Sequence, residues 1–517
     1  MNNEHHYNAT VDLLDRNVDA GRGDKAAFVD MQRTLTYQQL HCDCQRVGNL
    51  LKAYGIAREA RVAMLVLDTV DFPVIFLGAM RVGVLPVALN TLLTSEIYAY
   101  MLNDCRAQAV FVSAPLMAAL GPALAQVPSL RHVFVIGADD GAHIDGSHIE
   151  YGQALASQSE TCAVAETVAD EVAFWLYSSG STGMPKGVPH VHSSLMETAD
   201  LYGHRLLDIK SEDVCYSAAK LFFAYGLGNG LTFPLAAGAT AILLDGRPTP
   251  EAVLERLHTH QATLFFGVPT LYAALLADPN CTPTNSSTRL RRCISAGEAL
   301  PEDIARRWLE RFGVELLDGV GSTEMLHIFV SNAPGDVRYG RSGKAVPGYD
   351  IRLVDDDGND VRDGDVGEML VRGSTAANGY WNQRAKSRAT FQGEWTRTGD
   401  KYIRDADGYY EICGRTDDMF KVSGIWVSPF EVEAALISHP AVLEAGVVPA
   451  HGGDGLLKPK AFVALQDTAA SDALREELKQ HVKAKIGAWK YPRWIEFVDE
   501  LPKTATGKIQ RFKLRED

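Results

Sequence analysis

The chain has 517 residues, of which 46% are hydrophobic and 22% are charged. A chain of this length and composition can bury several cores, and it is not a collagen, a coiled-coil rod or a disordered tail. With 50 basic and 65 acidic residues its net charge is −15, the wrong sign for a broad nucleic-acid binder or for docking on an anionic membrane. A pocket for an anionic small molecule stays open, because it needs only a few local cations and backbone N–H groups.

The chain shows no sign of export or of a structural metal. Its eight cysteines are scattered, and only Cys42 and Cys44 are close in sequence, which favours reduced thiols over a disulfide framework or a metal site. The N-terminus lacks the basic start and apolar run of a signal peptide. The longest apolar region, 62–88, is interrupted by charged residues, so no segment has the roughly 18 uninterrupted apolar residues of a membrane span. We therefore expect a cytoplasmic protein without a membrane partner.

Short apolar runs alternate with helical patterns through the first 320 residues. Strands alternating with helices indicate parallel sheets that are covered on both faces. Strands are predicted at 61–67, 84–88, 109–112, 172–176, 239–244, 264–266, 292–295 and 315–318, and helices at 71–82, 250–258 and 301–312.

The pattern changes after about residue 340, where short strands are separated by Asp/Gly turns. We predict an α/β protein with a large N-terminal domain, 1–416, that contains parallel α/β sheets and a β-rich subdomain at about 340–416. A small α+β C-terminal domain, 417–517, follows a boundary near 414–418. The later elements are predicted as strands at 351–355, 368–372, 409–413, 445–448, 460–463 and 494–497 and helices at 429–437 and 471–486.

The strongest chemical signal is the segment YSSGSTGMPKG at 177–187, directly after a predicted strand. Its glycines let several backbone N–H groups point into one concavity, its hydroxyls add donors and its lysine adds charge, which together predict a phosphate cradle. It is not a Walker A loop, which has a different glycine spacing and a Gly-Lys-Ser/Thr ending. The alternative, a flexible Gly/Ser linker, would rarely combine a Pro-Lys pair with a flanking strand. The predicted phosphate ligands are Ser178, Ser179, Gly180, Ser181, Thr182, Gly183 and Lys186.

A second signal is DGVGSTE at 318–324, where a strand is predicted to end at Asp318 and a Gly turn to follow. Ligands bind at the carboxyl ends of parallel strands. Thr323 is suited to donating to a phosphate, and Glu324 to holding a magnesium ion that bridges phosphate oxygens. Alone, the segment is more typical of an ordinary β-turn with a helix cap.

Two further segments are weak alone. TGD at 398–400 offers a carboxylate, Asp400, suited to gripping two ribose hydroxyls, and GRTDD follows at 414–418. PKTATGK at 502–508 places Lys508 in a Thr/Gly turn near the end of the chain. Loop carboxylates and cations of this kind are usually solvated or in surface ion pairs.

In this order and spacing, the four segments resemble the adenylate-forming superfamily of acyl-CoA synthetases, adenylation domains and luciferases, over nearly the whole chain. The resemblance implies that a carboxylate attacks the α-phosphate of ATP to give an acyl-adenylate and pyrophosphate, and that a thiol then displaces AMP. It implies ATP, Mg²⁺ and coenzyme A as ligands, and a C-terminal domain that rotates about a hinge at Asp417 between the two steps.

The resemblance also implies a role for each motif. Lys508 would bridge the substrate carboxylate and the α-phosphate, Thr323 would bind the α-phosphate, and Glu324 would hold the metal. Gly424 would lie beside the pantetheine tunnel, where a side chain would obstruct the thiol; the alternative is a simple turn glycine. The remaining roles are adenine contact by Ala296, Gly297, Glu298, Asp318 and Gly319, ribose contact by Asp400 and Arg415, and a CoA tunnel formed with Lys421, Ser423 and Trp426.

The segments 217–229, 325–328 and 421–431 resemble those of benzoate-CoA ligases within the superfamily. The resemblance implies benzoate or a close analogue as the acid, with 4-hydroxybenzoate and 2-aminobenzoate as alternatives. For His327 a place in the core or behind the pocket is an equal alternative to ring contact, and Gly226 is expected to leave room for the ring. The expected pocket residues are Ala224, Tyr225, Gly226, His327 and Ile328.

The acceptor and the partners follow from the same resemblance. Because the chain ends soon after Lys508, free CoA is favoured over a carrier protein, which stays an alternative. A homodimer is the generic expectation for such an enzyme. Acetylation of Lys508 by a lysine acetyltransferase would remove its charge and silence the enzyme.

Overall fold

The computed structural model describes residues 6–137, 148–178, 184–416, 418–422, 425–452, 457–466, 469–487, 490–503 and 509–515, with Lys421, Ile425, Trp426 and Phe512 described by their backbone alone. Within these residues no helix is long and apolar enough to cross a membrane. Nor do three or more His, Cys, Asp or Glu side chains of the described residues form a group that could hold a metal. The eight cysteines are all free.

The strands of the described residues alternate with helices as far as residue 321 and then occur in antiparallel runs. They are β1 (Ala26–Val29), β2 (Thr34–Thr36), β3 (Arg61–Leu65), β4 (Leu85–Ala88), β5 (Ala109–Ser113), β6 (His132–Ile136), β7 (Ile149–Glu150), β8 (Val172–Ser178), β9 (Lys186–Val191), β10 (Val214–Ser217), β11 (Thr240–Ile242), β12 (Leu264–Gly267), β13 (Arg292–Ala296), β14 (Leu316–Gly321), β15 (Ile328–Ser331), β16 (Lys344–Ala345), β17 (Asp350–Val354), β18 (Val366–Arg372), β19 (Phe391–Gln392), β20 (Trp395–Arg404), β21 (Tyr410–Arg415), β22 (Phe420–Val422), β23 (Ile425–Val427), β24 (Val442–His451), β25 (Leu457–Leu465) and β26 (Trp494–Phe497).

The α-helices begin where the sequence supplies caps. Thr36 and Gln39 form a capping box at the start of α1, and Thr249, Ser428 and Ser471 each accept a backbone N–H at the start of a later helix. The helices are α1 (Tyr37–Ala53), α2 (Asp71–Arg81), α3 (Ser95–Asp104), α4 (Met117–Leu124), α5 (Tyr151–Ala156), α6 (His192–Thr198), α7 (Ala224–Leu227), α8 (Phe233–Ala237), α9 (Pro250–His260), α10 (Pro269–Ala277), α11 (Glu302–Phe312), α12 (Arg384–Thr390), α13 (Pro429–Ile437) and α14 (Asp472–Ile486), with π-helical turns at Val11–Asp15, Val18–Arg22, Ala199–His204 and Gly228–Thr232 and 3₁₀ turns at Ala114–Leu116 and Arg511–Lys513.

Two largely parallel sheets carry the first part of the chain. One has the strand order β7-β6-β5-β3-β4-β8-β9, in which β9 alone runs antiparallel to its neighbour; the other has the order β16-β15-β14-β13-β12-β10-β11-β1-β2. In the second sheet β10 to β14 are parallel, and β15, β16 and β2 are antiparallel additions at the edges. Helices cover both sheets, as the continuous apolar strands require.

The rest of the described chain is mostly antiparallel. β17 to β21 form a separate sheet, β22 and β23 form a hairpin, and β24-β25-β26 form a small sheet with α13 and α14 packed on it. The C-terminal part has its own apolar core, which includes Val432, Leu436, Val447, Leu478 and Val482. The structure therefore confirms the predicted fold class, a mixed α/β protein with parallel sheets followed by β-rich and α+β parts.

Several predicted boundaries differ from those in the structure, and one of these differences lies at the candidate site. The strand expected to end at Asp318 continues to Gly321, because 319–321 pair with the antiparallel strand β15. The sequence gives no sign of this pairing, since its partner lies beyond the STE motif and the glycines are typical of a turn.

Candidate active site

The two ends of the phosphate loop lie on neighbouring strands. Ser178 ends β8 and Lys186 begins β9, and the two residues are directly paired in the antiparallel ladder. This pairing fixes where the loop leaves and re-enters the sheet. The loop residues Ser179, Gly180, Ser181, Thr182 and Gly183 lie outside the described residues.

Glu324 of the STE motif lies against the ends of this loop. Its Oε1 accepts hydrogen bonds from Oγ of Ser178 at 3.0 Å and from the hydroxyl of Tyr380 at 2.8 Å. The ammonium of Lys186 is 3.9 Å from the same oxygen. Ser178 and Glu324, which are 146 positions apart in sequence, therefore meet in one polar cluster.

The ammonium group of Lys186 contacts both a carboxylate and the face of an aromatic ring. Its Nζ lies 4.1 Å from the ring centroid of Tyr380, within the range of a cation–π contact. Burial lowers the pKa of Lys186, and the nearby Glu324 opposes this by favouring the charged form. Neither contact is a tight ion pair, so the cation is available to a further anion.

His190, on β9, contacts the backbone of the STE motif. It is 1% exposed, its Nε2 is 2.9 Å from the carbonyl oxygen of Thr323, and its ring stacks on Phe174. Burial lowers the pKa of His190 to about 4, so its neutral imidazole donates to Thr323. This histidine was not predicted from the sequence, because strand alternation predicts that it points inward but not which carbonyl it meets.

The two segments expected to contact adenine are neighbours in the sheet. Ser295 pairs with Asp318 and Ala296 with Gly319 across the parallel strands β13 and β14. Gly297 follows with φ of 95°, a left-handed conformation that turns the chain away from the strand end and places Glu298 beyond it. Burial raises the pKa of Asp318, whose Oδ1 has no hydrogen-bond partner among the described residues.

The two residues expected to contact ribose form an ion pair. Asp400 on β20 and Arg415 on β21 are paired in register, with 3.0 Å between Oδ1 and the guanidinium. The same guanidinium donates to the carbonyl of Thr398 at 3.2 Å. We expected loop residues, but both lie within strands; the local departure is Gly399, whose φ of 73° bends β20 at this point.

His327, three residues after Glu324, lies in a cage of aromatic side chains. It is 2% exposed, and its ring centroid lies 4.5 Å from Phe233, 5.2 Å from Tyr202 and 5.8 Å from Tyr225. Burial lowers the pKa of His327 to about 3, so the ring is neutral. Its two nitrogens have no well-formed hydrogen bond among the described residues.

Tyr225 reaches from the cage to the sheet. Its hydroxyl donates to the carbonyls of Ile294 at 3.2 Å and Gly267 at 3.3 Å. Its neighbour Ala224 is buried. At Gly226 the expected open space is not there, because a β-carbon would lie 2.0 Å from the carbonyl oxygen of Lys220. Glycine at this position allows two backbone segments to approach closely.

The expected adenine and acyl segments touch each other. A β-carbon at Gly319 would lie 3.0 Å from Cδ1 of Ile328, which is itself 2% exposed. The segment that follows β14 therefore contributes Glu324 to a polar, charged cluster and His327 to an aromatic, neutral one.

The remaining predicted site residues either have only their backbone described or lie outside the described part of the chain. Lys421 and Trp426 are paired across the β22–β23 hairpin, with only their backbone described. The predicted residues Asp417, Ser423, Gly424 and Lys508 lie outside the described residues.

Comparisons with known proteins agree on the kind of enzyme. The profile of the AMP-binding enzyme family matches residues 14–381, and that of the AMP-binding enzyme C-terminal domain matches 431–508. A benzoate–CoA ligase of Thauera aromatica is 56% identical over 98% of this chain and 96% of its own length, and a 4-hydroxybenzoate–CoA/benzoate–CoA ligase of Rhodopseudomonas palustris is 53% identical over 99% and 94%. The crystal structure of the anthranilate CoA ligase AuaEII with anthranoyl-AMP superimposes with a TM-score of 0.94 at 43% identity, covering 98% of this chain and 96% of that one.

Proposed function

Because the chain belongs to the AMP-binding enzyme family, we propose that it is an ATP-dependent aryl-CoA ligase whose acid is benzoate. It converts benzoate, ATP and CoA to benzoyl-CoA, AMP and diphosphate through benzoyl-adenylate. The observation that carries the proposal is the neutral aromatic cage around His327 beside the Lys186–Glu324 cluster. A flat apolar ring fits the first environment and a polyphosphate fits the second.

In the first half-reaction the carboxylate oxygen of benzoate attacks the α-phosphorus of ATP, and the bond to the β-phosphate oxygen breaks. Catalysis of this kind depends on positioning and charge stabilisation more than on acid–base groups. Lys186 and the 178–187 loop would hold the β- and γ-phosphates, Thr323 the α-phosphate, and Asp400 with Arg415 the ribose. Lys508 would bridge the two reacting groups and stabilise the charge that develops between them.

Glu324 fits a magnesium ion. Its Oε1 is already engaged by two hydroxyls, whereas no described residue donates to Oε2. A carboxylate oxygen is the ligand type that Mg²⁺ prefers, with water and phosphate oxygens completing the coordination. Bound there with ATP, the ion would neutralise phosphate charge.

In the second half-reaction the CoA thiol attacks the benzoyl carbonyl carbon and AMP leaves. We place the domain boundary at 416/417 and the hinge at Asp417, so that rotation of 417–517 removes Lys508 from the site. The 421–426 hairpin, with Lys421, Ser423, Gly424 and Trp426, would then line the thiol tunnel. A homodimer and inactivation by acetylation of Lys508 stay predictions of the same proposal.

Ring-substituted benzoates form a second candidate class. The ring nitrogens of His327, which lack a well-formed hydrogen bond among the described residues, favour them, because a hydroxyl or amino substituent would give such a buried polar atom a partner. Two similar proteins act, by their names, on 4-hydroxybenzoate and anthranilate.

The first experiment measures pyrophosphate release that depends on ATP, magnesium and CoA, with benzoate, 4-hydroxybenzoate, 2-aminobenzoate, cyclohexanecarboxylate, hexanoate and acetate. We expect benzoate to give the highest kcat/KM, with benzoyl-CoA detected by mass spectrometry. A preference for hexanoate or acetate would contradict the aromatic pocket. Pyrophosphate release without any CoA thioester would contradict free CoA as the acceptor and direct the search to a carrier protein.

A further inference from the structure

Tyr380 contacts both charged side chains of the phosphate cluster. It lies between β18 and α12, is 7% exposed, and was not among the residues expected from the sequence. Its hydroxyl donates to Oε1 of Glu324 at 2.8 Å, and its ring lies 4.1 Å from Nζ of Lys186. On the basis of the proposed function, we propose that Tyr380 is a positioning residue of the nucleotide site, which sets the orientation of Glu324 and keeps Lys186 available to the polyphosphate.

Tyr380 is itself held rigidly. Its backbone N–H donates to Oγ of Ser387 at 2.9 Å, and its ring meets Phe391 edge-to-face at 5.3 Å. The next residue, Trp381, donates its backbone N–H to the carbonyl of Gly187 on β9 at 2.9 Å. The tyrosine is therefore attached both to the strand that carries Lys186 and to α12. Such support on both sides is what keeps the geometry of a functional group fixed.

The hydroxyl of Tyr380 acts on the carboxylate. With Ser178 it supplies two donors to Oε1 of Glu324, and this fixes the plane of the carboxylate. Oε2 then points away from these donors and can take a cation. A carboxylate with one donor fewer rotates more freely, and its oxygen meets the metal in several geometries, which Mg²⁺ tolerates poorly.

The ring of Tyr380 acts on the ammonium. A cation over an aromatic face keeps its charge, since the face offers a quadrupole and no proton acceptor. The 3.9 Å distance between Lys186 and Glu324 shows that the two are not in a tight ion pair. Without the tyrosine, Lys186 could form a tight ion pair with Glu324. The lysine would then bind phosphate more weakly, and the carboxylate would bind the metal more weakly.

The test compares two substitutions that separate these effects. Tyr380→Phe removes the hydroxyl and keeps the ring, and Tyr380→Leu removes both. Calorimetric titration with ATP, once with magnesium and once with EDTA, measures nucleotide binding apart from turnover. We expect Tyr380→Phe to weaken MgATP binding by about tenfold or more, the effect of one hydrogen bond to a charged group, with a smaller effect on ATP in EDTA. Tyr380→Leu should weaken both, and the affinity for benzoate should stay unchanged.

A matched control is Tyr37→Phe. Tyr37 is also buried, and Tyr37→Phe also removes one hydroxyl hydrogen bond, to the carbonyl of Ala239, away from the nucleotide site. It should lower the melting temperature without changing ATP binding. If Tyr380→Phe binds MgATP and ATP like the wild type, or loses benzoate affinity to the same extent, the positioning role is wrong. Should Tyr380→Leu fail to fold, Tyr380→Phe decides alone. A wild-type enzyme that binds ATP but releases no pyrophosphate with any aryl acid would contradict the proposed function instead.

Discussion

The two sides of the candidate site stabilise their side chains in opposite ways. On the phosphate side, Glu324 accepts hydrogen bonds from two hydroxyls, and the ammonium of Lys186 lies over the ring of Tyr380. On the acyl side, His327 is buried among aromatic rings, its pKa falls to about 3, and its nitrogens lack well-formed hydrogen bonds. Along the chain, only Met325 and Leu326 lie between Glu324 of the first environment and His327 of the second.

In the proposed reaction, this one short segment would contact both substrates. A charged ligand is bound by charges that polar neighbours orient but do not neutralise, and a flat apolar ligand is bound by rings and a neutral heterocycle. The physical cause is burial. Glu324 and Lys186 have polar or aromatic partners, whereas His327 is enclosed so completely that its charged form is excluded.

The largest expected effect on activity comes from Lys508, which would contact both the acid and the α-phosphate. Lys508→Ala should lower the rate of benzoyl-adenylate formation by about 100- to 1,000-fold, because the charge that develops between carboxylate and α-phosphate loses its stabilisation. Thioester formation from supplied benzoyl-adenylate should be largely spared. Lys503→Ala is the matched control, since Lys503 pairs with Glu444 nearby. Equal loss of both half-reactions in Lys508→Ala would contradict the rotation of the C-terminal domain.

The acyl side is open to a steric test. A β-carbon at Gly228 would lie 2.4 Å from Cδ2 of His327 and 2.9 Å from Phe233. Gly228→Ala should therefore displace the histidine ring, lower the stability by about 3 kcal/mol and weaken benzoate binding, with ATP binding unchanged. Gly121→Ala, on α4 with open space around it, should bind both ligands like the wild type. Loss of ATP binding in Gly228→Ala would show that the two sides are coupled.

The smallest expected effect is the pH dependence of stability that comes from His190, the buried histidine that contacts Thr323. The pKa of His190 is about 4 in the folded protein and 6.5 ordinarily, so the unfolded chain binds the extra proton and stability falls as the pH drops below about 6.5. At pH 5 the loss from this one group is about 2 kcal/mol. Buried Asp68, whose pKa is raised to about 6, changes the stability with pH in the opposite direction. The pH dependence of the wild type must therefore be compared with that of a variant that lacks His190.

His190→Gln isolates this contribution, because glutamine keeps an N–H donor for the Thr323 carbonyl but does not titrate. Its melting temperature should fall less than that of the wild type between pH 7.5 and 5. Parallel curves for the two proteins would mean that His190 does not carry the pH dependence.

Much of the fold was readable because each element has a local signature. The limits of 429–437 and 494–497 were predicted as the structure has them, since a Ser-Pro cap and a short apolar run depend only on neighbouring residues. The strand at 316–321 was cut short because its last pairs depend on β15, a strand beyond the STE motif that the sequence pattern did not predict. Asp400 and Arg415 were expected as loop residues for the same reason.

The sequence by itself determined which chemistry-bearing segments exist, because glycines, hydroxyls and charges cluster at fixed spacings. It did not determine the contacts between them. Only the tertiary structure placed Tyr380 against Glu324 and His190 beneath Thr323, and closed the space at Gly226 with a backbone carbonyl. A composition pattern specifies what a segment can bind, whereas its orientation depends on packing partners that the pattern does not specify.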